Sequence, residues 1–231
     1  MATTSRGWVV KTQEYQESSK LIYLMSATGI QSFLARGVRK YNAAFRSILE
    51  PYQWLEIMLT GSGLPTLKEA KPITTTSTLS LEVSAYLQHL AELFYVLRET
   101  IPFEQLVPFF EEIYPKLLKD PEPYSMMLEI KLLYLLGVNP VFDRCVICGH
   151  KERIGFSIQE GGMVCKNHVS PDIMTDQAVI LSMYQLYHAD LNDALPDIDA
   201  ASLRRVLDQY YSYHVHVETT ARAWIQQIFH Y

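Results

Sequence analysis

Residues 7–36 read GWVVKTQEYQESSKLIYLMSATGIQSFLAR, and this stretch decides the first half of the fold. Its β-branched and aromatic residues form three short runs, which polar turns at 17–19 and 27–29 separate. Two further runs of the same character follow at 52–60 and 66–71. Five short strands with turns between them predict a small barrel, because closure removes exposed strand edges. A sandwich, or an open sheet packed on helices, fits this pattern as well.

From Ser80 onward the spacing of apolar residues changes from two to 3.6, which predicts helices. Residues 124–136 are apolar nearly all round and predict a central, buried helix that Gly137 ends. Amphipathic stripes predict the other helices, at 83–97, 103–117, 179–187, 203–210 and 217–228. The polar connector Lys71–Thr78 divides the chain, so we expect an α+β protein with domains at 1–79 and 80–231.

Charge is distributed unevenly along the chain. Residues 1–80 hold nine Lys/Arg and five Asp/Glu, a sum of +4, whereas residues 81–231 hold eleven and twenty, a sum of −9. This asymmetry favours one surface for a polyanion and another for a different partner, although charge fluctuates along any chain. Neither an apolar run of membrane-spanning length nor a signal-peptide pattern is present, so we expect a cytoplasmic protein that does not enter membranes.

The three cysteines of the chain all belong to one pattern. Cys145-Val-Ile-Cys148 is followed by sixteen residues and then by Cys165-Lys-Asn-His168. Paired ligands separated by two residues let two tight turns aim four side chains at one ion, which predicts a tetrahedral Cys3His zinc site. The intervening residues can form a hairpin, so we expect a zinc module at 143–170. The alternative is a set of incidental cysteines and a surface histidine.

A structural zinc ion fits this pattern better than a catalytic one. Four protein ligands close the coordination sphere and leave no position for an activated water. A zinc deaminase needs His-x-Glu upstream of Pro-Cys-x-x-Cys, but Arg144 precedes Cys145, and His216-Val-Glu218 lies downstream. The sequence also lacks nucleotide-binding and nucleophile-elbow motifs, so we expect a protein that is not an enzyme.

A basic segment follows the third predicted strand. Within Arg36–Arg46, four cations stand beside two aromatic residues, Tyr41 and Phe45. Such cations can hold phosphates, and the aromatic rings can stack on bases. The alternative is a solvated loop whose aromatic residues face the core.

Several motifs in this order resemble the RecO family of recombination mediators. In the first half these are Tyr15–Leu24, Thr28-Gly29, Ala35–Lys40 and Leu49-Glu-Pro51. In the second half they are Leu133–Gly137, Cys145-x-x-Cys-Gly149, Phe156-Ser157, Gly161-Gly162 and Cys165. The likeness covers nearly the whole chain, and the combination is more specific than any single motif.

The resemblance implies a five-stranded oligonucleotide-binding (OB) barrel, followed by a helical domain with an inserted zinc-ribbon-like module. It implies a nucleoid-associated mediator that binds single- and double-stranded DNA and anneals complementary strands. It also implies that the protein works with RecR to help RecA displace single-stranded-DNA-binding protein, with RecF as a further candidate partner.

Carried over residue by residue, the resemblance gives Arg36, Arg39 and Lys40 as DNA contacts, and charge adds Arg46. It gives Cys145, Cys148 and Cys165 as zinc ligands; the fourth ligand is a cysteine in many members, and here it is His168. A second hypothesis of a different class is a zinc-stabilised protein-interaction adaptor with little DNA affinity, which the acidic second part favours.

Overall fold

The computed structural model describes residues 2–74, 79–192 and 194–229. The chain divides into two compact units, Met1–Phe109 and Phe110–Tyr231. Residues 75–78 of the expected connector lie outside the described residues, and the expected domain boundary after residue 79 stays a prediction.

The first unit begins with five strands that close into a barrel. Their order around the barrel is β1-β2-β3-β5-β4, and all neighbours are antiparallel except β3 and β5, which pair in parallel through Leu34 and Thr66. The predicted succession of five strands and then helices is confirmed. The strands are β1 (Ala2–Tyr15), β2 (Ser19–Ser26), β3 (Gly29–Ala35), β4 (Trp54–Thr60) and β5 (Thr66–Pro72).

Strand β1 begins five residues before the predicted start at Gly7, because it belongs to two pairings. Ala2–Trp8 pairs with β4, and Trp8–Tyr15 pairs with β2. The added residues 2–6 are mostly exposed, so hydrogen bonds to β4, and not burial, hold them in the sheet. Where β1 passes from one neighbour to the other, a methyl group at Gly7 would overlap the carbonyl oxygen of Met25, so this position requires glycine.

The barrel is filled by inward-facing apolar side chains and closed at one side by a helix of the same unit. Helix α1 (Leu81–Val96) follows the barrel, and its Phe94 meets the fully buried Trp8 edge to face at 6.3 Å between ring centroids. Ser80 caps the helix by accepting a hydrogen bond from the backbone N–H of Val83. The barrel core includes Val9, Ile22, Leu24, Phe33, Ala35, Leu55, Ile57 and Leu59.

Helix α2 (Phe103–Leu117) leads into the second unit, where α3 (Pro121–Leu135) is its most buried helix. Helix α3 begins at Pro121, three residues before the predicted start at Tyr124, because proline is tolerated in the first turn of a helix. Gly137 ends it at a φ of +73°, and the N–H of Val138 bonds back to the carbonyl of Leu133, as the sequence predicts.

The remaining elements of the described chain are short. They are the hairpin of β6 (Gly155–Ser157) and β7 (Gly162–Val164), then α4 (Gln177–His188), α5 (Ala200–Tyr210) and α6 (Thr220–Phe229). The periodicity does not predict the π-helical turn Tyr211–Val215, which continues α5 and ends at His216 in a left-handed conformation.

Candidate nucleic-acid interface and metal centre

The basic segment forms a turn-rich loop between β3 and β4. Backbone hydrogen bonds between residues three apart order this loop, such as those from the N–H of Lys40 to the carbonyl of Gly37 and from the N–H of Ala43 to the carbonyl of Lys40. Val38 and Leu49 are buried in the barrel core, and Phe45 packs against the same core. The loop is therefore anchored at both ends while its middle faces solvent.

The four cations predicted to contact DNA do not share one environment. Arg36, Lys40 and Arg46 are exposed, and none forms an ion pair with any residue in the described part of the chain. Arg39 is half-buried and pairs with Glu14 at 3.0 Å. Its guanidinium also donates to the carbonyl oxygens of residues 16 and 17 at 3.4 Å each. Three of the four cations are thus available to an external anion, and the fourth holds the loop against the β1–β2 turn.

A groove lies beside this loop. It has a volume of about 640 Å³, and its walls include Tyr15 and Ser19 from the β1–β2 hairpin and Arg36 and Lys40 from the loop. Tyr41 is 88% exposed, whereas Phe45 packs on the core. Of the two aromatic residues considered for base stacking, only Tyr41 presents its ring to solvent.

The predicted metal ligands meet in the second unit. One ligand atom from each of Cys145, Cys148, Cys165 and His168 lies within 4.8 Å of all the others, so this cluster could hold a metal ion. Two tight turns bring them together. The N–H of Gly149 bonds to the carbonyl of Cys145 at 2.8 Å, and the N–H of His168 bonds to the carbonyl of Cys165 at 2.9 Å.

The hairpin sets the distance between these two turns. The N–H of Val146 bonds to the carbonyl of Met163, and the N–H of Ile154 bonds to that of Val164, each at 2.8 Å. Cys145, Cys165 and Val164 are buried together. The second ligand pair therefore follows β7 and is carried back to the first, as the sequence predicts.

Three of the separations between ligand atoms are close to the edges of a tetrahedral zinc site, and all of them are within 4.8 Å. With Zn–S near 2.3 Å and Zn–N near 2.0–2.1 Å, the edges of a tetrahedron are about 3.8 Å between sulfurs and about 3.5 Å between sulfur and nitrogen. Cys148 Sγ lies 3.7 Å from Cys165 Sγ. His168 Nδ1 lies 3.5 Å from Cys145 Sγ and 3.4 Å from Cys165 Sγ. The donor set and its spacing both fit zinc, with Nδ1 as the histidine ligand.

Hydrogen bonds prepare one of these thiols for ionisation. Burial opposes the charge, but backbone N–H groups of Cys148, Cys165 and Ile147 lower the pKa of Cys145 to about 6. Thiolate is the form that binds metal, so the turns stabilise the required state of this ligand.

An ionic cluster in the second unit was not predicted. Glu129 is fully buried in α3, and Arg204 of α5 binds both its carboxylate oxygens at 2.7 Å. Arg222 of α6 lies 3.1 Å from the same carboxylate. Its Nε is 2.8 Å from Asp208, although the angle does not make a hydrogen bond. The signal in the sequence was Glu129 itself, which with Lys131 is one of two charges in residues 124–136, a stretch otherwise apolar nearly all round.

None of the helices in the described ranges has the length and apolar character that a bilayer crossing requires.

Two family models match the chain in succession. The model for the N-terminal part of recombination protein O matches residues 1–76, and the model for its C-terminal part matches residues 79–223.

Curated relatives agree with these models over nearly the whole length. The chain is 30% identical over 240 residues to the DNA repair protein RecO of Bacillus cereus (strain AH187), covering 96% of each chain. The same figures hold for DNA repair protein RecO of Bacillus cytotoxicus. A solved structure of Entamoeba histolytica asparaginyl-tRNA synthetase aligns with a TM-score of 0.28 and 16% identity over 52% of this chain and 33% of that chain, which is too low to bear on function. Two matched models and full-length relatives thus place this chain in the RecO family of DNA repair proteins.

Proposed function

We propose that this protein is a recombination mediator in DNA repair that binds single- and double-stranded DNA and anneals complementary strands. The observation that carries the proposal is the loop after β3, where Arg36, Lys40 and Arg46 are exposed and free of ion pairs to the described residues. Such cations gain affinity for phosphates by releasing counterions from DNA. The family of DNA repair proteins to which the chain belongs supports the same assignment.

The barrel supports an OB fold as the carrier of this surface. OB folds are five-stranded Greek-key barrels that bind oligonucleotides on one face and on adjoining loops. Here the strand order β1-β2-β3-β5-β4 closes the barrel. The basic loop and the β1–β2 turn border one groove on it.

Annealing needs no bond-breaking chemistry. Cations neutralise the phosphates of two strands and reduce their repulsion, so complementary bases can meet. We propose that Arg36, Lys40 and Arg46 make these contacts directly. Because Arg39 pairs with Glu14, its contribution includes holding the loop in place.

We also propose that the Cys3His cluster binds one structural Zn²⁺. Cys145, Cys148, Cys165 and His168 would hold the ion, since their spacing and chemistry fit it. The bound ion would fix the hairpin and the segments joined to it, in the manner of closed structural zinc sites. The module at 143–170 would then serve as a zinc-ribbon-like scaffold.

The partners that we propose are RecR, RecA and single-stranded-DNA-binding protein, with RecF as a further candidate. The decisive experiment measures annealing of complementary strands coated with single-stranded-DNA-binding protein, with and without RecR. We expect this protein to accelerate annealing of the coated strands, and we expect the annealing rate to differ when RecR is present. No annealing under either condition would contradict the proposed function.

A paired substitution tests the surface. We expect Arg36→Gln with Lys40→Gln to weaken DNA binding to a similar degree for all base sequences, because phosphates carry no sequence information. The matched control is Lys68→Gln with Lys71→Gln, which removes the same charge from exposed positions on β5. Unchanged affinity in the first variant, measured by fluorescence anisotropy, would exclude this loop.

The second candidate is a zinc-stabilised adaptor with little DNA affinity. The −9 charge of residues 81–231 favours it, because an acidic surface repels DNA. No measurable binding to oligonucleotides at low salt would favour the adaptor over the mediator.

A further inference from the structure

Two cations and two tyrosines form a cluster on the first unit, away from the basic loop. Lys11 Nζ lies 4.9 Å from the ring centroid of Tyr95 and 5.8 Å from that of Tyr23. The guanidinium of Arg98 lies 4.7 Å from the Tyr95 ring, and the two tyrosine rings meet edge to face at 5.3 Å. Cation–π contacts of this kind hold a charged side chain in place while its charge stays exposed. Lys11 and Arg98 are both exposed, so the cluster presents two restrained positive charges to solvent.

The β1–β2 hairpin connects this cluster to the groove beside the basic loop. The cross-strand pairs Lys11–Tyr23, Gln13–Leu21 and Tyr15–Ser19 follow one another along the hairpin. Residues two apart lie on the same face of a strand, so these three pairs share the outer face of the barrel. Tyr15 and Ser19 of the last pair line the groove together with Arg36 and Lys40. At about 3.3 Å per residue, the path from Lys11 to Tyr15 is about 13 Å long.

Positive charge stands at both ends of this path. Glu99 pairs with Arg98 at 3.4 Å, which leaves the cluster with a net charge of one from Lys11, Arg98 and Glu99. At the other end Glu14 is neutralised by Arg39, while Glu17 is exposed and acidic. Between the ends this face carries the uncharged pair Gln13 and Leu21, so within these three cross-strand pairs no negative charge repels a phosphate chain.

We propose that one strand of single-stranded nucleic acid binds along the outer face of the β1–β2 hairpin, from the basic groove to Lys11 and Arg98. Lys11 and Arg98 contact phosphates, and Tyr23 and Tyr95 are positioning residues that restrain the two cations. This track rests on the proposed function and extends it, since it names a path and an end point that the basic loop alone does not define. The path of about 13 Å would form one part of a binding site of the 4–16 nucleotides that single OB folds occupy.

The test is a salt titration of the full-length protein with a fluorescent dT15 oligonucleotide. For single strands, each phosphate contact adds about 0.7 to the slope of log affinity against log salt. We expect Lys11→Gln with Arg98→Gln to lower the slope by about 1.4, and the affinity at 0.1 M salt by on the order of tenfold. The control pair Lys68→Gln and Lys71→Gln removes the same charge and should leave both quantities unchanged.

Substitutions at Tyr95 separate positioning from simple folding. Tyr95→Phe keeps the ring face and should bind dT15 like the unchanged protein. Tyr95→Leu removes the ring and should lower the affinity without a change in the circular dichroism spectrum or in the unfolding midpoint. Equal affinity of the two variants would exclude a positioning role for this ring.

The outcomes distinguish the track from the function on which it rests. Weaker binding in the Arg36/Lys40 variant, with no change in the Lys11/Arg98 variant, overturns the track and leaves the DNA-binding proposal intact. If neither variant loses affinity, both proposals fail. If the β5 control loses as much affinity as the Lys11/Arg98 variant, the effect is one of overall charge, and the track is overturned.

Discussion

At the scale of single residues, Glu129 shows how a charge is accommodated inside the second unit. Its side chain is fully buried, and it lies in contact with the guanidinium groups of Arg204 and Arg222. Although burial opposes the charge of Arg204, the carboxylates of Glu129 and Asp208 raise the pKa of this guanidinium, so the pair stays ionised. The hydroxyl of Tyr211 also donates to the Glu129 carbonyl at 2.8 Å, which joins the π-helical turn to α3.

Glu129→Gln should destabilise the protein by about 3 kcal/mol, because it leaves two buried guanidinium groups with Asp208 as their one remaining carboxylate partner in this cluster. Urea unfolding followed by circular dichroism measures this loss. Glu112→Gln is the matched control at an exposed position on α2, and it should change stability by less than about 0.5 kcal/mol. A loss below about 1 kcal/mol for Glu129→Gln would show that solvent reaches this site after all.

Tyr52 makes the stability of the first unit sensitive to alkaline pH. Desolvation, and then the charge of Glu92, raise the pKa of Tyr52 from 10.0 to about 12. The folded state holds the Tyr52 proton more tightly than the unfolded chain does. The contribution of this group to the free energy of unfolding is therefore complete below pH 10 and is lost as the pH rises toward 12. We expect the unfolding free energy to fall by about 1–2 kcal/mol over this interval.

The comparison with Tyr52→Phe isolates this effect. The variant keeps the ring that packs on Trp8 at 5.7 Å but has no proton to lose. Its stability should fall less between pH 10 and pH 12. Identical pH profiles for the two proteins would assign the fall to other tyrosines.

At the scale of elements, we expect the β6–β7 hairpin to depend on a metal ion held by the Cys3His cluster. Each strand is only three residues long, and two strands of this length are not stable alone in water. We expect about one zinc per chain, and Cys148→Ser to lose it. Amide hydrogen exchange of Val146, Ile154 and Val164 should then accelerate, while exchange in β1–β3 should not.

Asn167→Ala is the control for this substitution, since Asn167 is exposed between two ligands. It should keep both the zinc and the slow exchange. A metal-free Cys148→Ser variant with unchanged exchange in the hairpin would contradict a structural role for the ion.

The elements also show what the sequence could reveal. Strands β2 and β3 and helices α1 and α2 were predictable, because each buries one face and so carries a regular apolar period. The first residues of β1 were not, because pairing with β4 fixes them and leaves no apolar pattern. The π-helical turn was missed for a similar reason, since its Tyr211 is held by a partner 82 residues away in sequence.

The sequence predicted some parts of the candidate sites and missed others. The spacing of the four metal ligands is local in sequence, so it revealed which residues meet. The cations of the loop were identified by charge, but the pairing of Arg39 with Glu14 joins residues far apart in sequence. The cluster of Lys11 and Arg98 was missed because β1 and the end of α1 come together only in the folded unit.

At the scale of the whole molecule, a protein of net charge −5 is proposed to bind a polyanion. Screening limits the influence of any acidic residue to about 8–10 Å at 0.1–0.15 M salt, so charges farther than this from the basic loop contribute little to its potential. Affinity should therefore follow the local cations and not the overall charge.

A comparison of single and double strands tests this view. If the same phosphates are contacted, the slope of log affinity against log salt should be about −0.7 per contact for single strands and about −0.9 for duplexes. Titrations of both between 50 and 200 mM salt measure it. Affinities that do not change with salt would contradict binding through the phosphates.

The ionic cluster of the second unit has an evolutionary consequence. Two acids and two bases sum to zero charge, so exchanging one of them alone leaves an unbalanced charge inside the protein. Replacement of such a set by apolar residues can be neutral when all members change together. A related sequence that carries leucine at the position of Glu129 should therefore have replaced Arg204, Arg222 and Asp208 as well, and sequences with only one of these exchanges should be rare.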